Sequence, residues 1–211
     1  MNIASTLQAI IRRLPEKVYQ KGQWLYGDGE MFQGLFVVMA GAVKGYSMGD
    51  EGDARVTGFY LPGEWLGFEG LPSGPYSGYA QALGTCCARW IPISMLAEFS
   101  LNSQGRQAIF FQMSDTIRKN KIRYYQMSQV RAGARLALFI QDLSVRISHQ
   151  GYSAREFFLP MTRGDIASYL GVTPETISRA MASLECLGIL RLKNRYITLL
   201  QPDKLGLLQE E

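Results

Sequence analysis

The sequence predicts an α+β chain with an N-terminal antiparallel β-roll (jelly roll), a long helix suited to dimerisation and a C-terminal winged helix-turn-helix. Three observations carry this expectation. Residues 17–100 break into short runs rich in β-branched and aromatic residues, punctuated by Gly and Pro at short spacing. Near Met95 the apolar period changes from two to about 3.6 and stays there to Val130. Residues 159–199 then hold two short helix patterns joined at Gly171 and followed by an apolar hairpin. The expected boundaries are 1–102 for the roll, 103–130 for the long helix and 131–211 for the winged helix domain.

Composition narrows the classes. No apolar run approaches the ~18 residues of a membrane span, and MNIASTLQAIIRRL lacks a secretory signal pattern. A cytoplasmic protein with no membrane partner is expected. Cys86, Cys87 and Cys186 are too few for a disulfide framework and fit a reducing compartment. Residues 1–100 carry seven basic and nine acidic side chains, and residues 101–211 carry fifteen and nine. The basic C-terminal half is the electrostatic footprint of a nucleic-acid binder.

In chain order, residues 3–14 suggest a short amphipathic helix through Ile3, Leu7, Ile10, Ile11 and Leu14, ended by Pro15. The runs WLYG, LFVVMAG, VKGYSM, RVTGFYLPG and YAQALGTCCARWIPI supply the strands of the roll, with Gly22, Gly27, Gly29, Gly41, Gly63 and Gly67 at turns. Cys86 and Cys87 are adjacent in a strand, so one side chain should be core and the other exposed. In the long helix, Phe110, Met113, Ile117, Asn120, Tyr124 and Met127 are spaced 3, 4, 3, 4, 3, a heptad seam. A polar Asn120 in a seam is costly in a monomer core but can bond its symmetry mate, so a homodimer interface is expected. A second helix follows in ARLALFIQDLSVRIS, with Leu136, Phe139, Ile140 and Leu143 apolar.

The last segment is the most specific. Thr162 and Asp165 suit a capping box ahead of RGDIASYL. Gly171 turns the chain, Thr173 is a good N-cap, and Pro174 is favoured at the first helical position. The second helix reads PETISRAMASLECLG, with Ile177, Met181, Leu184 and Leu187 as its inner stripe and Cys186 as packing. Glu175, Ser178 and Arg179 form a short polar face at its N-terminal end. That suits a helix in the major groove, where Arg179 can bind guanine, Glu175 can accept from cytosine and Ser178 can meet a base or a methyl group. Thr162, Thr173 and Thr176 at the helix starts, with Lys193 and Arg195 at the hairpin tip beside Asn194, are the expected phosphate contacts on double-stranded DNA.

Over almost its whole length the chain resembles the Crp/Fnr family of bacterial transcription regulators, and MTRGDIASYLGVTPETISR is similar to the Fnr branch's DNA reader. KGQWLYGDGE, LFVVMAGAVKGY, EGDARVTGFYLPGEWLGFEGL and YAQALGT are similar to its β-roll. The resemblance implies a homodimer on an inverted repeat of TTGAT-like half-sites and contact with RNA polymerase, whether it activates or represses. It also marks departures. The Fnr oxygen sensors need four thiolates for an iron–sulfur cluster; this chain has three cysteines, none before Cys86, and Arg89 stands at the β-roll position three residues before Pro92. The cyclic-nucleotide-binding relatives use a glutamate and an arginine, but GFEGLPSGPYSGYAQAL offers Glu69 and no arginine. No cofactor or metal is expected, and the effector is left open among cyclic nucleotide, a haem ligand (His149 is the one histidine) and thiol redox state at Cys86 or Cys87. A jelly-roll metalloenzyme would need several histidines, and no triad or P-loop arrangement appears, so no enzymatic activity is expected.

Overall fold

The structure is a computed structural model and describes residues 11–50, 52–71, 74–101 and 103–207. The N-terminal helix expected over residues 3–14 lies mostly outside the described residues. The chain forms two compact units, residues 1–53 with 57–120 and residues 54–56 with 121–211.

The first unit is built on two antiparallel sheets. One has the order β1 (Glu16–Tyr19), β8 (Cys86–Pro92), β3 (Gly34–Ala40), β6 (Trp65–Leu66). The other has the order β2 (Trp24–Tyr26), β7 (Tyr79–Ala82), β4 (Val43–Met48), β5 (Ala54–Tyr60). The run GLFVVMA is buried along most of its length because β3 is central, paired on both sides, with Leu35 opposite Ile91 and Phe36 opposite Trp90. Gly34 is required by close approach, since a Cβ there would lie 2.1 Å from the Ile91 carbonyl oxygen. The core gathers Leu35, Val37, Val38, Val43, Leu66, Ala80 and Ile91, with Phe99 from the following helix.

The helical run expected from Met95, with a long helix from residue 103, is described as two stretches. The first, α1, spans Ile93–Leu101 and the second, α2, spans Ser103–Ser128. Gly105 is required by close approach, since a Cβ there would lie 2.2 Å from the Phe99 carbonyl oxygen. Arg106 Nη1 donates to the Ser100 carbonyl at 2.8 Å, satisfying a carbonyl at the end of α1. Helix α2, 26 residues and so about 39 Å long, is fixed within the first unit by ions. Glu64, almost fully buried, accepts from the Leu61 amide at 3.0 Å and from Lys119 Nζ at 3.0 Å. Lys119 also meets Asp115 at 2.7 Å.

The second unit centres on α3 (Ala132–His149), whose Leu136, Phe139, Ile140 and Leu143 are at most 1% exposed. Around it stand α4 (Arg163–Leu170), α5 (Pro174–Cys186) and α6 (Pro202–Leu207), with a three-stranded antiparallel sheet ordered β10 (Leu190–Lys193), β11 (Tyr196–Leu199), β9 (Glu156–Phe158). Arg135 ties α3 to the turn after α4, donating to the Leu170 carbonyl at 3.0 Å and to the Gln129 carbonyl at 2.7 Å. Two expectations are corrected at the end of α5. The helix stops at Cys186, so Leu187 is its C-cap and 55% exposed rather than part of the inner stripe. Cys186 is exposed rather than packed, because the stripe of Ile177, Met181 and Leu184 has already turned away from it.

Candidate nucleic-acid interface

Local capping places the helix-turn-helix. Thr162 Oγ1 accepts from the Asp165 amide at 3.1 Å while Asp165 Oδ2 accepts from the Thr162 amide at 2.9 Å, a reciprocal capping box that satisfies two otherwise open donors. Gly171 ends α4 in the left-handed conformation, φ 67°. Thr173 caps α5, accepting from the Thr176 amide at 3.3 Å, and Pro174 takes the first helical position. Ile177, Met181 and Leu184 bury one side of α5, which leaves the other side of its first two turns to face outward.

On that side Glu175 and Arg179 are exposed and Ser178 is half-buried. Ser178 Oγ donates to the Pro174 carbonyl at 2.9 Å, so its lone pairs are left to accept. Glu175's own backbone amide, the Thr173 hydroxyl and the charge of Arg179 hold its carboxyl below the usual glutamate range. It is therefore a carboxylate at neutral pH, an acceptor suited to an exocyclic amine. Thr176 Oγ1 lies 3.4 Å from Arg179 Nη2 and steadies the guanidinium.

The expected phosphate contacts fall into two groups. Thr173 and Thr176 sit together at the start of α5, their hydroxyls 3.1 Å apart. Thr162, Asn194 and Arg195 line one cleft of about 220 Å³ between α4 and the wing. Lys193 is exposed on the wing but does not line that cleft. Asn194 has φ 59°, as the two-residue turn between β10 and β11 requires. Arg195 has structural work as well, since its guanidinium donates to the Pro160 carbonyl and lies 5.0 Å from the Phe158 ring centroid. The cleft adds Arg163, exposed at the first position of α4. The sequence signal for it was a basic residue directly after an N-cap.

The heptad-spaced residues of α2 are exposed or half-buried in the chain. Phe110, Ile117 and Tyr124 are 64%, 67% and 73% exposed, Met113 and Asn120 are exposed, and Met127 is half-buried. Phe111 and Tyr125, also exposed, extend the apolar stripe one residue to the side.

Comparison with known proteins decides the family. Residues 134–208 match the Crp-like helix-turn-helix domain and residues 16–103 the cyclic nucleotide-binding domain. The chain is 38% identical to the electron transport regulator A of Shewanella oneidensis over 98% of this chain and 82% of that one. This chain is a member of the Crp/Fnr family of transcription regulators. It is also 39% identical to the fumarate and nitrate reduction regulatory protein of Escherichia coli K12, over 95% of this chain and 80% of that one. The solved structure of FixK2 from Bradyrhizobium japonicum superposes with a TM-score of 0.81 at 28% identity, covering 93% of this chain and 97% of that one. The regulator is not an enzyme; the relatives it matches are regulatory proteins by name.

Within this regulator's roll, the residues that a ligand or cluster would use have other partners. Arg89 forms an ion pair with Glu16 and donates to the Ile11 carbonyl at 2.6 Å. Glu69 accepts a 2.7 Å hydrogen bond from the Tyr26 hydroxyl, and the Tyr26 ring stacks on Tyr76 with centroids 4.0 Å apart. Cys86 is buried as expected, but Cys87 is half-buried rather than exposed, its Sγ beside the Glu16 carboxylate. Burial pushes the Cys86 thiol up to about 11, and burial together with the Glu16 carboxylate pushes Cys87 up. Both are thiols at neutral pH, the opposite of a reactive sensor cysteine. His149 is the exposed last residue of α3.

Proposed function

We propose that this regulator works in the cytoplasm as a homodimer on an inverted repeat of TTGAT-like half-sites and makes contact there with RNA polymerase. Residues 103–130 serve as the dimerisation helix between a roll over 1–102 and a winged helix domain over 131–211. Phe110, Met113, Ile117, Asn120, Tyr124 and Met127 form the seam. Glu175, Ser178 and Arg179 read bases, while Thr162, Thr173, Thr176, Lys193 and Arg195 hold phosphates.

The observation that carries this reading is the outward N-terminal face of α5, where Glu175 and Arg179 are exposed on a helix whose opposite side is buried. An exposed carboxylate beside DNA is repelled by phosphates, so its place on this face is explained by a base edge. Two copies reading half-sites one helical turn apart require a twofold partner, which the exposed stripe on α2 supplies. The test is binding of Arg179→Ala to a duplex carrying the inverted repeat and to one with scrambled half-sites. Loss of the guanine contact should cost about 1–3 kcal/mol on the specific duplex and little on the scrambled one. Equal affinity of the variant and the parent for the inverted repeat would sink the assignment.

A further inference from the structure

The wing hairpin separates two basic surfaces. Its strands pair Arg191 with Thr198 and Lys193 with Tyr196. Side chains alternate across a strand, so Leu190 and Leu192 turn inward while Arg191, Lys193 and Tyr196 are exposed on the outer face. The inward side closes the cleft against α4, where Leu192, Asn194 and Arg195 of the wing meet Thr162 and Arg163. Arg191 and Lys193 have no part in that cleft. On the outer face they are two residues apart, about 7 Å along the strand, a spacing close to that of successive phosphates on one DNA strand. Glu156 shares the outer face but stands two strands from Arg191, across Thr198.

Between these surfaces the hairpin is thin. Asn194 and Arg195 alone make its turn, and its strands lie about 5 Å apart. Its attitude to the reading helix is fixed, since the Leu192 amide donates to the Glu185 carboxylate of α5 at 2.8 Å. Phosphate ligands on both sides of one hairpin call for a phosphate backbone on each side. With α5 in the major groove, about 12 Å wide, the neighbouring place where two backbones come close enough is the minor groove, about 6 Å wide.

We propose that the wing tip enters the minor groove beside each half-site. One backbone lies in the cleft against Thr162 and Arg163, and the other lies along Lys193 and Arg191 on the outer face. The regulator therefore prefers A·T-rich flanks, whose narrow minor groove concentrates negative potential. This inference rests on α5 reading the major groove and adds a second, flanking determinant to it.

Fluorescence anisotropy of the full chain on duplexes with one inverted repeat and three kinds of flank tests it. The flanks are A·T, G·C and inosine·C pairs. Inosine lacks the guanine 2-amino group, so an inosine·C pair resembles A·T in the minor groove and G·C in the major groove. The expected result is several-fold tighter binding with A·T than with G·C flanks, and inosine·C flanks should match A·T. Arg191→Ala should narrow that ratio and lower the salt slope by about 0.9 for each phosphate contact removed. Lys193→Ala provides a second variant if Arg191→Ala is misfolded by circular dichroism. Arg179→Ala should weaken binding to all three duplexes and keep their ratio. Equal affinity for the three flanks overturns the proposal, as do inosine·C flanks that behave like G·C or a flank ratio unchanged in the folded wing variants. Failure to distinguish the inverted repeat from scrambled half-sites is a separate outcome, which removes the major-groove reading and this inference with it.

Discussion

At the scale of single residues, several ionisable groups of the roll and of α2 are committed to structure. Arg89 is bound to Glu16 and to the Ile11 carbonyl, and Asp115 is bound to Lys119 and Arg118. Burial raises the Asp115 carboxyl, but the bonds and charges of Lys119 and Arg118 outweigh it and leave it below the usual aspartate range. A group depressed in the folded state stabilises above its unfolded pKa, and that contribution is lost as pH falls through the folded one. Asp115→Asn should therefore cost about 1 kcal/mol at neutral pH, seen as a melting temperature lower by roughly 2–4 °C, and the difference should shrink in acid. Equal penalties across a pH series would show that packing, not charge, accounts for the loss. The thiols give a second check. Timed alkylation of native protein near neutral pH, read by peptide mass spectrometry, should label the exposed Cys186 first, Cys87 slowly and Cys86 last. Rapid labelling of Cys87 would revive thiol sensing in the roll.

Among the elements, legibility follows the range of the interactions. The α4–turn–α5 segment could be read because its signals are local: Thr162 with Asp165, Thr173 with Pro174, and Gly171 all act within four residues. Thr162→Ala removes the capping box and should destabilise the protein by about 1 kcal/mol in chemical denaturation; an unchanged midpoint would mean that α4 is held by tertiary contacts alone. The heptad spacing on α2 was legible for the same reason. The start of the long helix at 103 was placed from the sequence, but the close approach of Gly105 to the Phe99 backbone was not visible there. Leu187 fits the helical period but falls after the last helical residue, so periodicity alone assigned it to the wrong side. In the roll the strands were visible as runs, but their partners were not. Glu16 pairs with Arg89 and Tyr26 with Glu69 across stretches that no local signal spans. The sequence therefore identified Glu69 as a possible ligand group, and the structure shows it already hydrogen-bonded to Tyr26.

For the whole molecule, dimerisation and DNA binding should fall together. Replacing Ile117, 67% exposed in the seam, with Glu should shift sedimentation at micromolar concentration from dimer to monomer and reduce operator affinity in parallel. A parent protein that sediments as a monomer would overturn the homodimer assignment. Lys193→Ala should weaken specific and scrambled duplexes alike and lower the salt slope of binding by about one, whereas Arg179→Ala should act on the specific duplex alone. A single phenol, that of Tyr26, also bears on how this roll can evolve. Tyr26→Phe would free Glu69 but leave the stack on Tyr76 in place and supply no cation. An arginine gained first would share the Glu69 carboxylate with the Tyr26 hydroxyl. A sugar hydroxyl offered to Glu69 would therefore have to compete with a phenol already resident in the roll.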